Sequence, residues 1–189
     1  MSIVLRPSLA PSDTLLITTL AAVAVSEAIE LLTHRATQIK WVNDVFLDGK
    51  KVSGILTEAS FQADTGRIDY VVLGIGVNVY MPENGFPAEI NNIAGSLFHT
   101  AIPHGRCRLA AYILERFYHY FQSIEKKEFL EPYRQKNFLL ERKIDVIGGN
   151  SIYPATVLGI NDDFTLKISL SDGQTKNLSS GEVSVRLDK

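Results

Sequence analysis

The chain carries a single cysteine, Cys107, in 189 residues. One thiol cannot close an intrachain bridge, which excludes a disulfide scaffold and points to a reducing, cytoplasmic setting. The four histidines, His34, His99, His104 and His119, lack ligand spacing, so no structural metal is expected. Basic residues are no more plentiful than acidic ones: 19 Lys and Arg stand against 21 Asp and Glu, a net charge of -2. That balance does not fit dominant binding to a nucleic-acid backbone. Long uncharged apolar runs are also missing. The most apolar stretch, Leu15 to Val25, meets Glu27 and Glu30 short of the roughly 20 residues a membrane span requires. With only Arg6 ahead of it, and Asp13 beside it, it also makes a poor secretory signal. What is present is a globular composition, 46% hydrophobic and 21% charged. A chain of this length buries about 70% of its extended surface without cross-links.

Apolar residues from Leu15 to Leu32 recur at helical spacing behind Asp13, a good N-cap, with Pro11 just outside. The period then changes. Thr37 to Val42 reads as a strand, and Val45 to Leu47 leads into Asp48-Gly49, a two-residue hairpin signal. Lys51 to Phe61 makes a second strand, Asp64-Thr65-Gly66 a turn, and Ile68 to Val79 a third strand. These features predict an α+β fold, an antiparallel or mixed sheet with the Leu15 to Leu32 helix on one face. Tyr80 to Pro103 reads as a loop, and Arg106 to Ile124 and Lys126 to Asn137 as amphipathic helices. Cys107 is expected as a small apolar helix residue, and Tyr118, Tyr120 and Phe121 as core.

Beyond Leu139 the pattern becomes short and alternating: Lys143 to Ile147, Tyr153 to Ile160, Phe164 to Leu170, Thr175 to Leu178 and Val183 to Leu187. Turn residues separate them at the spacing of a small β-barrel. The expected division is residues 1–138 and 139–189, the second piece being too small to stand well alone.

Chemistry-bearing residues concentrate around the first hairpin, where Lys40-Trp41-Val42-Asn43-Asp44 precedes Lys50-Lys51-Val52-Ser53-Gly54-Ile55-Leu56. An amide and a carboxylate after a strand, with a lysine across a tight turn, can converge on one ligand. A compact ammonium suits phosphate oxygens and the charge that develops when a carboxylate attacks phosphorus. The other reading is a capped turn with solvated edge lysines. Gly74-Ile75-Gly76-Val77-Asn78 is a second candidate, since glycines inside a strand mark close approach of a ligand or of another backbone. They could equally make room for the Leu15 to Leu32 helix. No dinucleotide fingerprint is present, because no helix opens after these glycines.

In order and separation, Lys-Trp-x-Asn-Asp, Lys-x-x-Gly-Ile-Leu-x-Glu (Lys51 to Glu58) and Gly-Ile-Gly-Val-Asn (Gly74 to Asn78) resemble the biotin protein ligase family. Phe86-Pro87 with Ala94-Gly95-Ser96-Leu97 is similar to that family's adenine-side loop, and Gly181-Glu182-Val183-Ser184 to the end of its last domain. The resemblance implies a class II synthetase-like catalytic domain followed by an SH3-like barrel. It implies ATP, Mg2+ and biotin as ligands, formation of biotinyl-5'-AMP, and transfer of biotin to a lysine of a biotin carrier domain of a biotin-dependent carboxylase. It leaves homodimerisation open, and neither nucleic acid nor membrane is expected as a partner.

By motif match, Lys51 would meet the biotin carboxylate and the phosphate, with Asp44 beside the reacting centre. Asn43 and Asn78 would face phosphates and magnesium, and Gly54, Ile55 and Leu56 would line the pocket. Gly74 and Gly76 would permit close approach, Lys40 and Trp41 belong to the motif, and Glu182 and Arg186 match positions on the nucleotide side. Two departures accompany the match. Val42 stands where the family usually has proline, which leaves the approach to Asn43 less stiff by up to about 1 kcal/mol. The family's Gly-Arg-Gly-Arg-x-Gly-Arg loop, a glutamine before it and a Ser/Thr-Asn segment have no counterpart among these residues, and Ile3 to Pro11 resembles the strand that follows that loop. The expectation is a catalytic domain lacking its N-terminal part. The alternative function is an inactive homologue serving as a binding or dimerisation module through a sheet edge.

Overall fold

A computed structural model describes residues 1–10, 14–62, 64–148, 151–179 and 184–187. Helix α1 (Thr14–Thr33) forms where the helical period was read, and Leu16 to Ser26 are buried without a break. Asp13 and Pro11, the expected cap and its neighbour, lie outside the described residues. By length and composition α1 could cross a bilayer, yet most of it is covered by protein. Its cover is a five-stranded sheet built from β1 (Ser2–Leu5), β2 (Thr37–Lys40), β3 (Asp44–Leu47), β4 (Lys50–Phe61) and β5 (Ile68–Val77). The order is β1-β5-β4-β3-β2, and every pairing is antiparallel.

The hairpin predicted at Asp48-Gly49 joins β3 to β4. Both residues sit at positive φ, 49° and 72°, the backbone that suits a two-residue turn between twisted strands. The strand expected over Thr37 to Val42 is shorter. It stops at Lys40, residues 41–43 form a turn, and β3 begins at Asp44 as a strand of its own. The Trp41–Val42 peptide is cis.

Side chains alternate across the sheet. Ile55, Leu73 and Ile75 are buried on the α1 side, where Thr18 also donates to Thr57 Oγ1 at 2.7 Å. Leu56, Gly54, Gly74 and Gly76 therefore face the other way. The glycines do not make room for α1, which corrects that expectation.

Helix α2 (Gly105–Phe121) packs on α1, and α3 (Leu130–Lys136) follows a short 3-10 turn. The second helix was expected from Lys126. It starts four residues later, because Lys127 takes a left-handed backbone (φ 53°) that a helix cannot continue through. Cys107 is exposed on α2, not packed as a small apolar residue. Of the aromatic cluster, Tyr120 is buried, Phe121 is half-buried and Tyr118 is exposed. Tyr120 donates to Glu27 at 2.8 Å, and burial together with that carboxylate pushes its phenol above the ordinary range.

The second sheet comprises β6 (Lys143–Gly148), β7 (Ser151–Ile160), β8 (Leu166–Leu170), β9 (Thr175–Leu178) and β10 (Ser184–Leu187). Its order is β10-β6-β7-β8-β9, all antiparallel, so the last strand returns to the first as in an SH3-like barrel. Ile144, Val146, Val157, Leu166, Ile168 and Leu178 are among its buried apolar residues. The segment after α3 runs beside β2: Asn137 bridges to Ile39, and the Phe138 N–H donates to the Ile39 carbonyl at 3.3 Å.

Candidate active site

The outward face of β3, β4 and β5 forms the floor of an open depression of about 440 Å³. Asn43, Asp44, Lys51, Gly54, Ile55, Leu56, Gly74, Ile75 and Gly76 line it, with Met1 and Ser2 at one side. Three separate motifs meet here because antiparallel register brings them together: Asp44 pairs with Gly54, Gly54 with Gly76, and Leu56 with Gly74. A bulge between Val45 and Phe46 shifts the register so that Lys51 and Asp44 can meet. Their side chains lie 2.5 Å apart, Lys51 39% and Asp44 19% exposed. Among the described residues, each finds its only polar side-chain partner in the other. Solvent or a ligand therefore has access to the remaining donors of the ammonium and to the second carboxylate oxygen.

Glycine at position 54 keeps this pair uncovered. A Cβ there would stand 3.5–3.6 Å from Lys51 Cε and Nζ and from Asp44 Oδ1, in the space above the pair. Anything beyond a methyl group would cover them. Asn43 is a structural clamp as well as a wall. Its amide donates to the Ile55 carbonyl at 2.7 Å, and its own carbonyl accepts from the Ile55 N–H at 3.0 Å. These two bonds tie the approach to Asp44 onto the strand that carries Lys51.

Loop residues 90–97 press along the hairpin. The Lys51 N–H donates to the Ile93 carbonyl at 2.7 Å, and the Gly95 N–H to the Lys51 carbonyl at 2.8 Å. Lys50 donates to the Asn91 and Asn92 carbonyls, so the two adjacent lysines have different tasks. A Cβ at residue 95 would fall 2.6 Å from Lys50 Cβ, which explains the glycine. Asn78, just past β5, sits at this junction through its backbone, bonded to the Val52 carbonyl and the Leu97 N–H. Neither Asn78 nor Lys40 lines the depression. Trp41 is core, 5% exposed, its indole N–H donating to the Phe164 carbonyl at 2.9 Å. Arg186 is in β10 opposite Asp145, and Glu182 lies outside the described residues. Sequence reading missed Ile75 as a lining residue and the supports behind Trp41 and Val42. Ile75 turns its side chain to the α1 side, so alternation points away from it and only its place between Gly74 and Gly76 marks it; the supports appear only in three dimensions.

No group of three or more His, Cys, Asp or Glu side chains able to hold a metal stands among the described residues. The described residues therefore offer no protein cage for Mg2+, an ion that is commonly held through substrate phosphates instead.

Residues 1–78 match the Biotin/lipoate A/B protein ligase family. The bifunctional ligase/repressor BirA of Bacillus subtilis is 46% identical over 101 residues, 53% of this chain and 30% of that protein. The biotin--[acetyl-CoA-carboxylase] ligase of Paracoccus denitrificans is 39% identical over 80 residues, 41% of this chain and 32% of that protein. The chain spans about half or less of the length of the curated relatives it matches. The apo biotin protein ligase of Aquifex aeolicus superposes with a TM-score of 0.84 at 27% identity, over 99% of this chain and 81% of that one. The Aquifex enzyme is also known in complex with biotin and ATP, at a TM-score of 0.78, 26% identity, and 99% and 77% coverage. Over nearly the whole chain the fold is similar to that of the Aquifex biotin protein ligase, and residues 1–78, whose strands build the depression, match the Biotin/lipoate A/B protein ligase family.

Proposed function

We propose that the depression binds biotin and ATP and that the chain serves biotin protein ligation. The observation that carries this reading is the Lys51–Asp44 pair, half-open above a floor of glycines. In the first step the biotin carboxylate attacks the α-phosphorus of ATP, a P–O bond forms, and pyrophosphate leaves with the electron pair of the broken bond. Lys51 holds the carboxylate and an α-phosphate oxygen, and its positive charge offsets the negative charge that builds there. Gly54, Gly74 and Gly76 let the adenylate lie close to the strands. In the second step a lysine amine of a carrier domain attacks the acyl carbon and AMP departs. Asp44 orients that amine and accepts its proton. Asn43 holds Asp44 in place from the backbone side. Arg186 and Glu182 belong to the nucleotide side in this reading, with Lys40 and Asn78 near the phosphates. Mg2+ would arrive with ATP, and no step is routed through it. The setting in this reading is cytoplasmic, in keeping with a single cysteine.

Biotin-dependent exchange of labelled pyrophosphate into ATP tests the first step, and labelling of an apo carrier domain tests the second. Exchange above a biotin-free control supports the reading. Its absence at saturating biotin and ATP, with the protein folded, overturns it for this chain and favours the binding-module alternative.

A further inference from the structure

Val42 carries no ring to fix its backbone, so the rigidity of residues 41–43 has to come from their contacts. Those contacts reach across the molecule. The β7–β8 turn, Asn161 to Thr165, inserts Phe164 between α3 and the sheet. Its ring is wholly buried, stacked on Phe129 at 5.1 Å and edge-on to Tyr133 at 5.7 Å. Phe164 holds a left-handed backbone, φ 65°, unusual for an aromatic residue, and this turns its carbonyl to the Trp41 indole. One residue further on, the Val42 carbonyl accepts the hydroxyl of Tyr133 at 3.0 Å. Tyr133 is fully buried, and burial keeps its phenol well above the ordinary range, so it stays a donor. The turn itself is latched from outside: Arg134 donates to the Ile160 carbonyl and to Asp162, and Lys127 to the Asp162 carbonyl.

We propose that Phe164 and Tyr133 are positioning residues for the active site, clamping Trp41 and Val42 so that Asn43 and Asp44 are presented to Lys51. The small C-terminal sheet is thereby part of the site's scaffold, although none of its described residues lines the depression. This inference rests on the ligase reading only for its kinetic consequence. The mechanical part stands on contacts that need no ligand.

Trp41 is the only tryptophan, so its fluorescence reports the clamp directly. Two variants separate the parts. Phe164→Gly accepts the left-handed backbone and removes the ring. Tyr133→Phe keeps the packing and deletes one hydrogen bond. Hydrogen exchange is followed at the amides of residues 43–45 and of Ile55, whose N–H is bonded to the Asn43 carbonyl. Ile144→Val, which trims the interior of the small sheet away from the turn, is the control. Phe164→Gly is expected to move Trp41 emission to longer wavelength and to speed exchange at these amides by more than tenfold. Tyr133→Phe is expected to speed it about fivefold, the scale of one buried hydrogen bond, with circular dichroism unchanged. Ile144→Val is expected to leave both signals as in wild type. Unchanged exchange at residues 43–45 in both variants overturns the proposal, as does an equal response to Ile144→Val.

Kinetically, Tyr133→Phe is expected to lower kcat of pyrophosphate exchange about fivefold with KM for ATP held within twofold. An effect on KM alone overturns the positioning role. A wild-type chain with no exchange activity overturns the ligase reading instead, and the fluorescence and amide data then decide the clamp by themselves.

Discussion

Two lysine–carboxylate pairs of nearly equal length sit in different surroundings. Lys51 meets Asp44 at 2.5 Å and Lys136 meets Glu30 at 2.6 Å. Glu30 is saturated by its own chain: the same oxygen accepts the Lys136 ammonium, the Thr37 N–H at 2.9 Å and the Thr37 hydroxyl at 3.0 Å, tying α1, β2 and α3 together. Burial alone would raise the Glu30 pKa, but Lys136 and Thr37 outweigh it and hold the carboxyl below its ordinary value. Among the described residues, Asp44 and Lys51 have only each other as side-chain partners, beside an open depression. A closed pair fixes the fold, whereas an unfinished one is available to a ligand.

Swapping the roles of the pairs is the strongest way to break this comparison. Lys51→Ala is expected to lower biotin-dependent pyrophosphate exchange by about 10² to 10³-fold, the scale of removing one preorganised charge-stabilising donor. Its thermal unfolding should stay within about 0.5 kcal/mol of wild type, because a partly exposed pair adds little stability. Gly54→Val should reduce biotin affinity by about tenfold or more in calorimetric titration, since it covers the pair, while circular dichroism stays as in wild type.

Lys136→Met should reverse that pattern. Stability in urea is expected to fall by about 1–2 kcal/mol, because Glu30 is left half-buried without its cation, with pyrophosphate exchange retained. The sign of the pH dependence follows from the lowered Glu30 pKa. Its contribution is present above the ordinary glutamate range and is lost as pH falls through the lower native value. Urea midpoints measured from neutral pH downward should therefore fall less steeply for Glu30→Gln than for wild type. At the small end, Lys126→Ala removes an exposed contact to Glu128 at 4.0 Å, and its midpoint should move by no more than about 0.3 kcal/mol.

Much of the site was legible because its parts are local. The Asp48-Gly49 turn, the alternation of β4 and β5 and the two glycine-marked stretches are each written within a dozen residues. Once the hairpin order is known, register alone brings Asp44, Gly54 and Gly76 side by side. The direction in which the glycines face was left open by their spacing. It was decided by which side of the sheet α1 covers. The helix expected from Lys126 came out shorter, since a left-handed residue and contacts with the second sheet outweighed its amphipathic pattern.

From the sequence came the elements, the turns between them and the residue types suited to an acyl-phosphate chemistry, because dihedral preference and burial period act over short stretches. Tertiary structure decided which charges stay unfinished and what holds them. Val42 is bonded to a tyrosine 91 residues away and Trp41 to a carbonyl 123 residues away. No local pattern encodes such contacts, since they join residues far apart in the chain and exist only once the tertiary fold has closed the long intervening loops.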